Sequence, residues 1–194
     1  MNQYPTLIDP QQSIQELEHE LLKANANRLH LITGAQCPLS GLLQHLIDHL
    51  ALQGEVQVIV GGNRYSIEKL PFLLEGQEQQ LHTVLERIRL TRAETPYQLL
   101  DALQNTLANG CPVVVTDILS TLYDEGIDDA EASRLLKACL RNVARLAENA
   151  PVLVSAANDP RRPKLFDQLQ EMSAEWRHLA LDPLSRPDPQ ATLF

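Results

Sequence analysis

The stretch "GAQCPLSG", residues 34–41, follows directly on the apolar run "LHLIT" and stands where a phosphate-binding loop would stand. Such a loop needs a glycine, four residues, a second glycine, a lysine for the β- and γ-phosphates and a hydroxyl for magnesium. Counted from Gly34, the last three places hold Leu39, Ser40 and Gly41, and the next lysine is Lys69. Asp117, closing the apolar run "VVVT", has the residue type of a magnesium ligand, and equally that of a strand-end acid capping the next turn. Gly34, Ser40, Gly41 and Asp117 together form a degenerate nucleotide site. Without the lysine, ATP and magnesium could be held only by backbone N–H groups at a helix start and by Asp117. No catalytic residue and no resident cofactor are expected.

Other groupings admit a chemical and a plain structural account. His45 and His49 in "HLIDH" have the i, i+4 spacing of a zinc pair, but lack the glutamate of H-E-x-x-H and an evident third ligand, so no metal site is expected. Gly61 and Gly62 turn the chain after an apolar run. Arg64 and Arg92 have the reach for an anion or a partner subunit, or for solvent alone. Arg161, Arg162 and Lys164 in "NDPRRPK" put three cations in one short loop, a small part of the footprint that a nucleic-acid backbone requires.

The elements that must position these residues alternate. Strands are expected at 28–33, 55–60, 87–91, 112–116, 151–156 and 177–181; several are apolar nearly throughout, as parallel strands covered on both faces are. Helices lie between them. Ser13 and Glu16 have capping-box spacing, Ser40 would cap a helix burying Leu42, Leu43, Leu46, Ile47 and Leu50, and Thr95-Pro96 opens another. From Asp128 to Glu148, apolar residues recur at helical spacing, with acids at the start and Arg141 and Arg145 towards the end. The class is α/β with a mainly parallel sheet and helices on both faces, in one domain over 1–182.

Composition narrows the function. The 194 residues carry 16 basic and 25 acidic side chains, a net charge of −9, which opposes direct binding to a phosphate backbone. "YDEGIDDAEA", 123–132, concentrates that acidity. There is no apolar run of membrane-spanning length and no signal-peptide pattern, so no membrane association and a cytoplasmic location are expected. Cys37, Cys111 and Cys139 have no CxxC spacing and read as reduced thiols.

Four segments, in order, resemble the RecA/RadA-type recombinase superfamily. "VIVGGNRYSIEKL" is similar to its second strand and exit, "RIRLTRAETPYQLLDAL" to its third strand and helix, "VVVTDILSTLYD" to its Walker-B strand and serine-rich turn, and "VSAANDPRRPKLFDQLQEMSAEW" to its fifth strand and following helix. The resemblance spans 28–181 and implies a RecA-like P-loop-NTPase core, closest in size to short bacterial RecA-like repair proteins of the SulA/ImuA type. It also implies a glutamate after the second strand to orient water, where Asn63 stands. With lysine and glutamate both replaced, the resemblance points to a pseudo-ATPase acting in DNA recombination, repair or the SOS response. The alternatives are a nucleotide-binding or weakly active ATPase and a SulA-type cell-division regulator.

The final residues differ in kind. "PLSRPDPQATLF", 183–194, holds three prolines in seven residues and reads as a flexible tail. Its last five residues resemble the pentapeptide with which bacterial repair proteins dock on the DNA polymerase sliding clamp. Leu193 and Phe194 would enter an apolar pocket and Gln190 would bond at its rim. The implied partners are the clamp and, beside it, a recombinase or translesion polymerase, with direct DNA binding weak or absent.

Overall fold

A computed structural model describes residues 6–8, 29–33, 36–62, 78–173 and 177–181. Seven strands, β1 (Thr6–Ile8), β2 (Leu29–Thr33), β3 (Val56–Gly61), β4 (Ile88–Ala93), β5 (Val113–Thr116), β6 (Val152–Ala156) and β7 (Arg177–Leu181), form one sheet. Every pairing among them is parallel, in the order β1-β7-β2-β6-β5-β3-β4. The central strands β5 and β6 are buried at every residue, which is why "VVVT" and "VLVSA" carry no charge.

Among the described residues, five helices connect the strands: α1 (Gln36–Gln53), α2 (Glu78–Arg87), α3 (Pro96–Asn105), α4 (Asp129–Ala147) and α5 (Pro163–Met172). Parallel crossovers are right-handed, so the direction of each step across the sheet decides which face its helix covers. The steps β2 to β3 and β3 to β4 run one way; those from β4 to β5, β6 and β7 run the other. The core divides accordingly. Leu43, Leu46, Ile47 and Leu50 of α1 and Val84 of α2 pack on Ile32, Val58 and Val60. Leu99 and Leu103 of α3, Leu135, Leu136 and Val143 of α4, and Leu165 and Leu169 of α5 pack on Leu31, Ile59, Val115 and Val154. Each fully buried leucine is worth about 2 kcal/mol.

Local signals hold the helix ends. Thr95 and Gln98 form a reciprocal capping box on α3, with Pro96 at its first position, and the Asp128 carboxylate accepts from Glu131 N–H at 2.7 Å on α4. Two expectations change. The helix after β2 begins at Gln36, so Ser40 is internal rather than its cap; Pro38 is accommodated because first-turn N–H groups have no intrahelical acceptor to lose. β1, in a segment without a sequence signal, pairs with β7 from Thr6 opposite Leu179 to Ile8 opposite Leu181. The helix expected from Ser13 lies outside the described residues.

Candidate functional site

The carboxyl ends of the strands carry the residues of interest, because loops from adjacent strands diverge there to opposite faces and leave a crevice. Such divergence occurs between β2 and β6 and again between β5 and β3. Of the four residues of the degenerate nucleotide site, Gly34 is outside the described residues, Ser40 and Gly41 lie in the first two turns of α1, and Asp117 follows β5. Asp117 is separated from the end of β2 by β6, two strand spacings or about 10 Å.

Asp117 sits in the left-handed region with φ 48°, a conformation that aspartate tolerates better than most residues. Its N–H donates to Ser155 Oγ at 2.8 Å, and Ile118 N–H donates to the Ser155 carbonyl at 2.9 Å. Ser155, fully buried at the end of β6, thus holds the turn that leaves β5. Ile118, Leu119 and Leu122 anchor the turn in the core. Asp117 is partly buried, with Oδ1 shielded from solvent.

Gly61 and Gly62 are needed where they stand. A Cβ on Gly61 would lie 2.6 Å from the Asp117 carbonyl oxygen and 3.1 Å from that of Thr116; Gly62 has φ +73°, and a Cβ there would meet Ser120 Oγ at 2.7 Å. The pair lets β3 end directly under the 117–120 turn, and Gly62 N–H closes onto the Ala93 carbonyl at 2.8 Å.

A cleft of about 420 Å³ opens beside this contact. Gly62 and Glu94, from the ends of β3 and β4, form one side. Ser120, Thr121, Tyr123, Asp124 and Glu125, from the loop after β5, form the other, and Arg161 reaches in from the loop after β6. Tyr123 is buried, donates to the Ala157 carbonyl at 3.1 Å and accepts from Asp159 N–H at 3.3 Å. Burial pushes its hydroxyl up to about 12, with the Asp117 and Asp159 charges adding to the rise, so it stays protonated.

The cationic loop is otherwise engaged than its composition suggests. Arg161 grips the buried Asp159 carboxylate through Nε at 3.0 Å and Nη2 at 2.6 Å, and lies 3.8 Å from Glu125. Arg162 donates to the carbonyls of Leu122 at 3.1 Å and Ile127 at 2.5 Å, and lies 3.5 Å from Asp129. Two of its three cations are thus committed to holding the acidic 122–129 loop, leaving Lys164 exposed. The role of Arg162 was not legible because its acceptors are backbone oxygens 35 to 40 residues away.

Other sequence candidates are dispersed. His45 is exposed and His49 half-buried on α1, and among the described residues no group of three His, Cys, Asp or Glu side chains could hold a metal ion. Arg92 is exposed on the edge strand β4. Asn63, Arg64, Gln190, Leu193 and Phe194 lie outside the described residues. Ser155, Ser120, Thr121 and Glu94 escaped sequence reasoning; their only signal was a place just beyond apolar strands. Among the described residues, no helix is long and apolar enough to cross a membrane.

No family model matches the chain, and a search of curated proteins returns no relative.

Proposed function

We propose that this protein is a RecA-like accessory protein of DNA recombination or repair that works through protein contacts rather than nucleotide hydrolysis. One observation carries the non-catalytic part: α1, the helix that follows the loop after β2, contains no lysine or arginine in its 18 residues. A triphosphate there would meet no lysine or arginine from this helix, and phosphoryl transfer depends on neutralising that charge. The strand order supports the RecA-like part, since Asp117 ends a strand separated from β2 by one neighbour and both face the carboxyl-end crevice. Weak or absent DNA binding is supported by the committed arginines Arg161 and Arg162 and by the acidic loop that they hold.

Partner binding is assigned to the tail, with Gln190, Leu193 and Phe194 docking on the sliding clamp, and a recombinase or translesion polymerase acting alongside. The test is a titration of the clamp with the full-length protein and with a form ending at Pro189. Binding lost with the last five residues supports an adaptor; equal binding by both forms, or none, removes the clamp from the assignment. ATP turnover that disappears in Asp117→Ala would overturn the pseudo-ATPase.

A further inference from the structure

The loop 106–112, which joins α3 to β5, lies at the amino ends of the strands, away from the carboxyl-end crevice. It holds Asn109 and Gly110, and of the nine asparagines in the chain only Asn109 precedes a glycine. Both residues are exposed, and Gly110 has φ +87°, which glycine adopts at little cost. The Gly110 N–H makes no backbone hydrogen bond among the described residues, and there is no Cβ to crowd its nitrogen. The Asn109 side-chain carbonyl oxygen is held by two donors, Gln57 Nε2 at 3.1 Å and Cys111 N–H at 3.3 Å. Gln57 Nε2 also donates to the Leu107 carbonyl at 3.0 Å, which keeps its N–H groups turned towards the loop. Two donors on one carbonyl oxygen polarise its carbon and stand where negative charge gathers when a nucleophile adds to it. The adjacent nucleophile is the Gly110 nitrogen, held in place by the chain itself.

We infer that Asn109 is a self-modifying site, at which the Gly110 main-chain nitrogen converts the side-chain amide to a succinimide while Gln57 and the Cys111 N–H hold the oxyanion. The Gly110 N–H gives its proton to solvent, and its nitrogen forms a bond to Asn109 Cγ. The Cγ–Nδ2 bond then breaks, and Nδ2 takes a proton from solvent and leaves as ammonia. Water opens the ring at either carbonyl, giving aspartate or its β-linked isomer; nothing is oxidised or reduced. Either product adds a negative charge to a loop whose Cys111 Sγ already lies 3.9 Å from Glu55 Oε2. The isomer also carries the main chain through Cβ just ahead of β5. The inference rests on neither the nucleotide site nor the tail.

Peptide mapping by mass spectrometry of the full chain, incubated in mildly alkaline buffer, tests it. The mass gain of an amide-to-acid exchange, together with the β-linked isomer, should accumulate at Asn109 ahead of every other asparagine. Gln57→Met, which keeps the length of the side chain and removes the donor, should slow the conversion about tenfold. Gly110→Ala, whose methyl crowds the attacking nitrogen, should slow it at least as much. Circular dichroism reports whether the variants fold; if Gln57→Met does not, Gln57→Glu, isosteric and without a donor when ionised, gives the same readout. A gain at Asn109 no faster than at the other asparagines would overturn the site. An unchanged rate in the folded Gln57 variant would overturn the oxyanion role and leave only the freedom of an Asn-Gly pair.

Discussion

Arg162 carries more of the fold than its place in a polar loop suggests. Its guanidinium satisfies the Leu122 and Ile127 carbonyls from a position only 15% exposed, so Arg162→Ala strands two backbone acceptors beneath the 122–129 loop. Chemical denaturation should show a loss of about 2 kcal/mol, only partly restored by lysine, which lacks the fork. Gly61→Ala should cost about 2–3 kcal/mol by the same measurement, because the added methyl runs into a carbonyl oxygen 2.6 Å away rather than a movable side chain. Asp48 is a pH-dependent case. It is buried in α1, accepts from Gln44 Nε2 at 2.9 Å, and burial raises its carboxyl from 3.8 to about 6. The folded state therefore binds its proton more tightly than the unfolded chain, a contribution complete below about pH 4 and lost as pH rises through 6. Asp48→Asn, which keeps the acceptor for Gln44, should stabilise the protein by about 1–3 kcal/mol at pH 8, with the gain vanishing below pH 4 in thermal melts.

At the scale of elements, α3 and α4 are the clearest products of local sequence. Thr95 Oγ1 accepts from Gln98 N–H, while Gln98 Oε1 accepts from the N–H groups of Thr95 and Glu94 at 3.2 and 2.9 Å. Thr95→Ala should cost about 1 kcal/mol, seen as faster amide exchange in the first turn of α3 and a lower melting temperature. The two caps also meet across space: Tyr97 donates to Glu131 at 3.1 Å, and Glu131 is held by Arg134 at 2.7 Å. The Arg134 bonds first, then Tyr97, keep the Glu131 carboxyl down at about 2. This pairing is invisible to a local pattern, since 34 residues separate the partners. α1 was misplaced at its start for the opposite reason. Ser40 looks like a boundary, but the helix starts four residues earlier and Pro38 is tolerated within its first turn.

For the whole molecule, the alternation of apolar runs and helical patterns determined an α/β class with a parallel sheet, because strands covered on both faces must be apolar throughout and must be joined by crossovers. The six longer strands and the capped helices followed from those patterns to within a few residues. Asp117 and the glycine pair could likewise be placed at strand ends from sequence. Tertiary structure alone decided what those ends meet. Strand order is set by long-range pairing, so the contact of Gly61 with the Asp117 carbonyl, Ser155 beneath the turn, and the attachment of β1 to β7 have no local signature. The same is true of the cleft, whose hydroxyls and carboxylates come from two separate loops, those after β4 and β5. Local composition records which residues prefer water, core or turn; only the order of strands in the sheet determines which of their polar atoms find partners.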